Sequence, residues 1–70
     1  MIIIFTNHAR KRMKERRISR AEVAITVRHP DVIEENNGIQ IFRKRYKLSS
    51  LEVVTEVKKG KLIVITLYWQ

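Results

Sequence analysis

Hydrophobic residues follow one spacing in the first thirty positions and another in the last forty. Met1 to Phe5 is a short β-prone apolar run that reads as an edge strand or a hydrophobic lead-in. Ala9 to Arg17 contains neither Gly nor Pro, and Ala9 and Met13 fall together on a helical wheel, the narrow apolar stripe of a first helix. Thr6 or Asn7 can serve as its N-cap. A second helix opens on Ser19-Arg20-Ala21-Glu22, where hydroxyl and carboxylate can satisfy orphan N–H groups reciprocally, with Ile18 and Val23 as the hydrophobic staple. Pro30 ends that helix at about Arg28 or His29, because the residue before a proline is driven out of the helical region. Only Arg17 and Ile18 join the two helices, which makes a tight corner.

After Pro30 the period becomes two. Asp31 to Glu35 and Ile39 to Lys47 flank Asn36-Asn37-Gly38, residues suited to the positive φ of a hairpin turn. Leu48-Ser49-Ser50 is a second turn. Leu51, Val53, Thr55 and Val57 alternate with Glu52, Val54, Glu56 and Lys58, which predicts a strand with one buried face. Lys58 to Lys61 is a third turn. Leu62 to Trp69 is apolar at nearly every position and reads as a central strand covered on both faces. Ile39 and Ile41 lie on one face of their strand, whereas Phe42, Tyr46 and Leu48 lie on the other; a bulge near Phe42–Arg43 would reconcile them. The prediction is helices first and an antiparallel meander after, one α+β domain over residues 1–70.

Composition narrows the chemistry. Cysteine is absent, which removes disulfides, thiolate metal sites and thiol nucleophiles. Two isolated histidines, with no carboxylate at ligand spacing, predict no metal site, and two glycines exclude a phosphate-binding glycine loop. No cofactor is expected. The apolar start is too short for a secretory segment or a membrane span, so the expectation is a cytoplasmic protein with no membrane partner. The net charge is +8 on 70 residues, and it is unevenly placed. Residues 1–20 carry a net of +6, residues 21–42 a net of −3, and residues 43–70 a net of +5. A field of this kind attracts polyanions, of which nucleic acid is the commonest.

Two basic clusters could carry function. His8, Arg12 and Arg16 follow one another at i, i+4 steps along the flank of the Ala9–Met13 stripe. Like charges in such a row repel unless an anion sits among them. The row therefore reads as a phosphate site with one group, His8, able to exchange protons near neutrality. From spacing alone it reads rather more readily as a solvated basic face whose Lys11–Glu15 pair adds a little stability. The second cluster is Arg43-Lys44-Arg45-Tyr46-Lys47. Alternation sends Arg43, Arg45 and Lys47 to one face, where they could track a phosphate backbone, and Tyr46 to the other, where it could stack on a base. The same ladder could instead be an edge strand protected by its charges. Thr66 and Tyr68 share a face of the last strand and could reach a groove beside the first helix, or Tyr68 and Trp69 could simply close the core.

Phe5-Thr6-Asn7-His8-Ala9-Arg10-Lys11-Arg12-Met13-Lys14-Glu15-Arg16, then Ile18-Ser19, Glu22-Val23 and the closing Ile63 to Trp69, resemble a family of small prokaryotic domains of unknown function, itself similar to the RelE- and BrnT-like toxins. The resemblance covers nearly the whole chain. It implies a barnase/RelE-like fold, with two N-terminal helices packed on a four-stranded antiparallel sheet. It also implies a metal-independent endoribonuclease of the mRNA interferase type, encoded beside an antitoxin, with His8, Arg12, Arg16, Thr66 and Tyr68 as site candidates. Arg17 departs from the pattern, which often has Gly there. The expectation is RNA cleavage by 2′-hydroxyl attack, with His8, Arg12, Thr66 and Tyr68 catalytic and Arg16, Arg43, Arg45 and Lys47 binding RNA. Expected partners are mRNA, free or on the ribosome, a cognate antitoxin and, in one reading, a second copy of the chain. A non-catalytic RNA- or DNA-binding module and a protein-interaction domain are the alternatives.

Overall fold

A computed structural model describes residues 2–70; Met1, the first residue of the predicted initial run, lies outside them. The order of elements is β1 (Ile2–Phe5), α1 (Asn7–Arg16), α2 (Arg20–Arg28), β2 (Val32–Asn36), β3 (Ile39–Arg45), β4 (Ser50–Lys58) and β5 (Lys61–Trp69). Both helices start where the side-chain chemistry puts them. Thr6 accepts the Ala9 N–H, and Ser19 and Glu22 form the full capping box. At the corner Arg17 adopts φ 54°, ψ 51°, and its backbone N–H bonds the Met13 carbonyl. The corner therefore forms without glycine, at a cost in backbone strain.

The expected four-stranded antiparallel sheet is corrected to five strands in a mixed sheet, ordered β1-β5-β4-β3-β2. The addition is β1, which runs parallel to β5 with Ile2 opposite Lys61 and Phe5 opposite Val64. Nothing local announces this pairing, because the partners are some sixty positions apart; the β-prone run only says that a strand is feasible there. The remaining pairs are antiparallel. Their tight turns place Asn37 and Gly38, then Lys59 and Gly60, at positive φ, the geometry that matches strand twist in two-residue hairpins.

The predicted bulge is also relocated. Pairing is regular through Phe42 and Arg43. The irregularity lies in β5, where Val54 faces Thr66 but Thr55 faces Val64, leaving Ile65 as the extra residue. A bulge switches the side-chain phase of its strand. Leu62 and Val64 before it, and Leu67 after it, are all buried with Ala9, Met13, Ile18, Val23, Phe42, Leu51 and Val53 in one core. Thr66 and Tyr68 consequently turn to the opposite face. No described helix covers that face, so β5 is covered on one side only, and the expectation of two covered faces is corrected. Val32 and Ile33 at the β2 edge and Ile2 in β1 remain exposed.

Candidate functional site

The site begins where β1 stops. Phe5 is the last residue of β1 to pair with β5, so among the described residues the stretch from Ile65 to Trp69 has no strand neighbour on that side. Gln70 exchanges both backbone hydrogen bonds with Ser50 of β4. Strand residues alternate the edge to which their backbone groups point, so Trp69 and Leu67 direct theirs to the open edge. Helix α1 lies along that edge and ties itself to it. The Thr6 N–H and hydroxyl donate to the carbonyls of Val64 and Ile65 at 3.1 Å each, and the Arg16 guanidinium donates to the Leu67 carbonyl at 2.9 Å. In return the Trp69 indole N–H donates to the Arg16 carbonyl at 3.1 Å.

These ties leave a groove of about 610 Å³ lined by His8, Arg12 and Arg16 from α1 and Thr66, Tyr68 and Trp69 from β5. The helical row and the hydroxyl pair, some fifty positions apart in the chain, thus form its two walls. Arg12 is bonded to Glu15 at 2.7 Å, and the Arg12 guanidinium beside Glu15 holds its carboxyl below the ordinary carboxylate range. That pair is solvent-exposed, and such pairs contribute little, so Arg12 can exchange Glu15 for a phosphate at small cost. Tyr68 carries a pKa raised above its ordinary value, first by burial and then by the neighbouring Glu52. Near neutrality it is a protonated hydroxyl. A model of the DUF4258 family, described only as a domain of unknown function, matches residues 5–69. The chain belongs to this family. No curated protein and no solved structure matches the chain.

In this DUF4258 chain the second basic cluster is not part of the groove. Arg43 lies two strands away from β5, between Glu34 at 2.6 Å and Glu52 at 3.1 Å. Both carboxylates, Glu52 foremost, raise its pKa, so its charge is spent internally. Arg45 lines a separate hollow of about 170 Å³ with Asp31, Val32, Arg43, Lys44 and Ser50, and its backbone N–H donates to the Asp31 carboxylate. Lys47 lies past the end of β3 and is exposed. Lys44 caps the His29 carbonyl at the end of α2. Tyr46, a candidate for base stacking, is tied to α2 through Glu22 and Thr26 and meets Trp69 edge-on at 5.8 Å.

Two residues gain weight in the DUF4258 groove that the sequence did not single out as site residues. Trp69 lines it, with its ring fixed by Arg16 and Tyr46. Glu52 lies directly opposite Tyr68 in the β4–β5 register and is 3% exposed. In the sequence Glu52 is one polar position in an alternating strand, indistinguishable from Glu56; only the register sets it beside Tyr68.

Proposed function

We propose that the groove between α1 and the open edge of β5 binds RNA and cleaves it without a metal ion, the activity expected of a toxin countered by a protein antitoxin. The observation that carries this reading is the convergence of His8, Arg12 and Arg16 with Thr66 and Tyr68 on one groove. An imidazole, two guanidinium groups and two hydroxyls are the groups such a reaction needs. His8 removes the proton of a ribose 2′-hydroxyl, whose oxygen bonds the adjacent phosphorus. The P–O5′ bond breaks, and the departing 5′-oxygen takes a proton from water in the open groove. The products are a 2′,3′-cyclic phosphate and a 5′-hydroxyl. Arg12 and Arg16 meet the charge that grows on the phosphate oxygens. Thr66 and Tyr68 orient the scissile unit, and Trp69 offers a fixed aromatic surface at the groove's end. The similarity of the family that the Phe5–Arg16 motif resembles to RelE- and BrnT-like toxins supports the same chemistry. Arg43, Arg45 and Lys47, outside the groove, are left to contact RNA flanking the cleavage point, with Arg43 the weakest candidate because it is already doubly paired.

Purified protein incubated with RNA in the presence of a chelator tests this. Wild type yields fragments with cyclic phosphate ends, and His8→Ala lowers the rate by about 10²- to 10⁴-fold, the usual contribution of a general acid or base. Equal fragment yields from the two proteins, or none from wild type, sink the enzyme reading. Binding that falls steeply with salt, without cleavage, would point to the non-catalytic module.

A further inference from the structure

Glu52 is an unusual carboxylate. It projects from the face of the sheet that no described helix covers, yet it is 3% exposed. Its neighbours across the ladder are Arg43 on β3 and Tyr68 on β5. Arg43 reaches one carboxylate oxygen at 3.1 Å and also holds Glu34 at 2.6 Å. The other oxygen, Oε2, is buried without a hydrogen-bond partner, as is Nε of Arg43. Burying such a group unpaired carries the full cost of taking it out of water, and buried polar groups left in this state call for a reason. Arg43 anchors the carboxylate from the β3 side, and Tyr68, whose side chain lines the groove, stands opposite it on the β5 side.

We infer that Glu52, anchored by Arg43, is a positioning residue for Tyr68: it draws the hydroxyl hydrogen of Tyr68 to itself, so that the phenolic oxygen presents its lone pairs to the groove. A hydroxyl fixed in this way accepts a hydrogen bond from the substrate. Within a groove whose other wall is guanidinium and imidazole, the complementary donor is the 2′-hydroxyl of a ribose next to the one His8 deprotonates, the group that separates RNA from DNA. The inference rests on the reading of the groove as an RNA site and assigns its selectivity to the Glu34–Arg43–Glu52–Tyr68 chain across the sheet. The raised pKa of Tyr68 has the sign this requires, since burial first and Glu52 second keep its proton in place. The titratable and charged groups facing Tyr68 are Glu52 on β4, Arg43 on β3 and Glu34 on β2, with His8, Arg12 and Arg16 across the groove.

The test has two readouts in Glu52→Gln and in the double variant Glu52→Gln/Arg43→Gln, which avoids a lone buried charge; circular dichroism verifies that each is folded. Carbon-13 tyrosine NMR, assigned with Tyr68→Phe, follows the Tyr68 titration. Its pKa falls in Glu52→Gln, and falls less in the double variant, because the Arg43 charge removed there lowers it in wild type. In a His8→Ala background, a short oligoribonucleotide binds more tightly than its 2′-deoxy counterpart. That preference, about tenfold for one hydrogen bond to a charge-linked group, is lost in Glu52→Gln and in Tyr68→Phe. A Tyr68 titration unchanged in the folded variants overturns the inference whatever the RNA results are. So does a moved titration with an unchanged ribose preference. If the His8→Ala protein binds neither oligonucleotide, the RNA reading of the groove fails instead, and the titration alone judges the Glu52–Tyr68 link.

Discussion

Tyr68 sits between a buried carboxylate and an open groove, and the two sides set opposite demands on it. On the buried side desolvation and then Glu52 favour the protonated phenol. On the groove side Arg12 and Arg16 supply positive charge, which would favour the phenolate. The consequence for stability has a definite sign. A phenol whose pKa in the folded state exceeds its ordinary value of 10.0 contributes stability that is fully present below that value and lost as the pH rises through the folded pKa. Denaturant unfolding of wild type and Tyr68→Phe between pH 9 and 12 should therefore show a steeper alkaline loss for wild type. Parallel curves would mean that Tyr68 is not perturbed by its surroundings. Lysine deprotonation affects both proteins alike and drops out of the difference. His8 and Arg12 could be named from their spacing because i, i+4 repetition is a local property. Glu52 could not, because its significance lies in which residue of β5 stands opposite it.

At the level of elements, the helical corner shows how far local chemistry reaches. Thr6, Ser19 and Glu22 perform the capping roles their side chains are built for, and Ile18, which precedes the second cap, is buried in the core. Arg17 is the exception, an arginine held at φ 54°. Because left-handed geometry costs a non-glycine residue about 1–2 kcal/mol and glycine loses about 0.5–1 in chain entropy, Arg17→Gly should raise the unfolding free energy by up to about 1 kcal/mol. The measurement is the denaturant midpoint at unchanged m-value; a fall in midpoint would show that the Arg17 side chain contributes more than its backbone costs. β5 is the element that decides the site. Its apolar composition identified it as a strand, but the bulge at Ile65 carries no sequence signature. Without that bulge, strict alternation from Leu62 and Val64 would point Thr66 and Tyr68 into the core and leave Leu67 outside.

Across the whole molecule, the charge excess separates into two parts with different roles. The α1 row faces the groove, whereas Arg43 is balanced by Glu34 and Glu52 and Arg45 lies in a separate hollow. RNA affinity measured against salt should therefore lose slope when the groove is altered. Arg12→Gln/Arg16→Gln should reduce the log–log slope by about 1.4, near 0.7 per phosphate contact on a single strand. Arg43→Gln should change it far less, and an equal effect from Arg43 would place the RNA on the uncovered face of the sheet instead. Local sequence was enough to place the two helices and their caps, the hairpin turns at Asn37-Gly38 and Lys59-Gly60, and a basic helical row with His8 at its start. Each of these depends on residues within a few positions of one another, where side-chain chemistry and backbone preference act directly. Tertiary structure alone decided that β1 runs parallel to β5 and stops at Phe5, that Ile65 shifts the phase of the last strand, and that Glu52 stands against Tyr68. Those outcomes come from packing the sheet over a single core, a competition among distant pairings that no local pattern records.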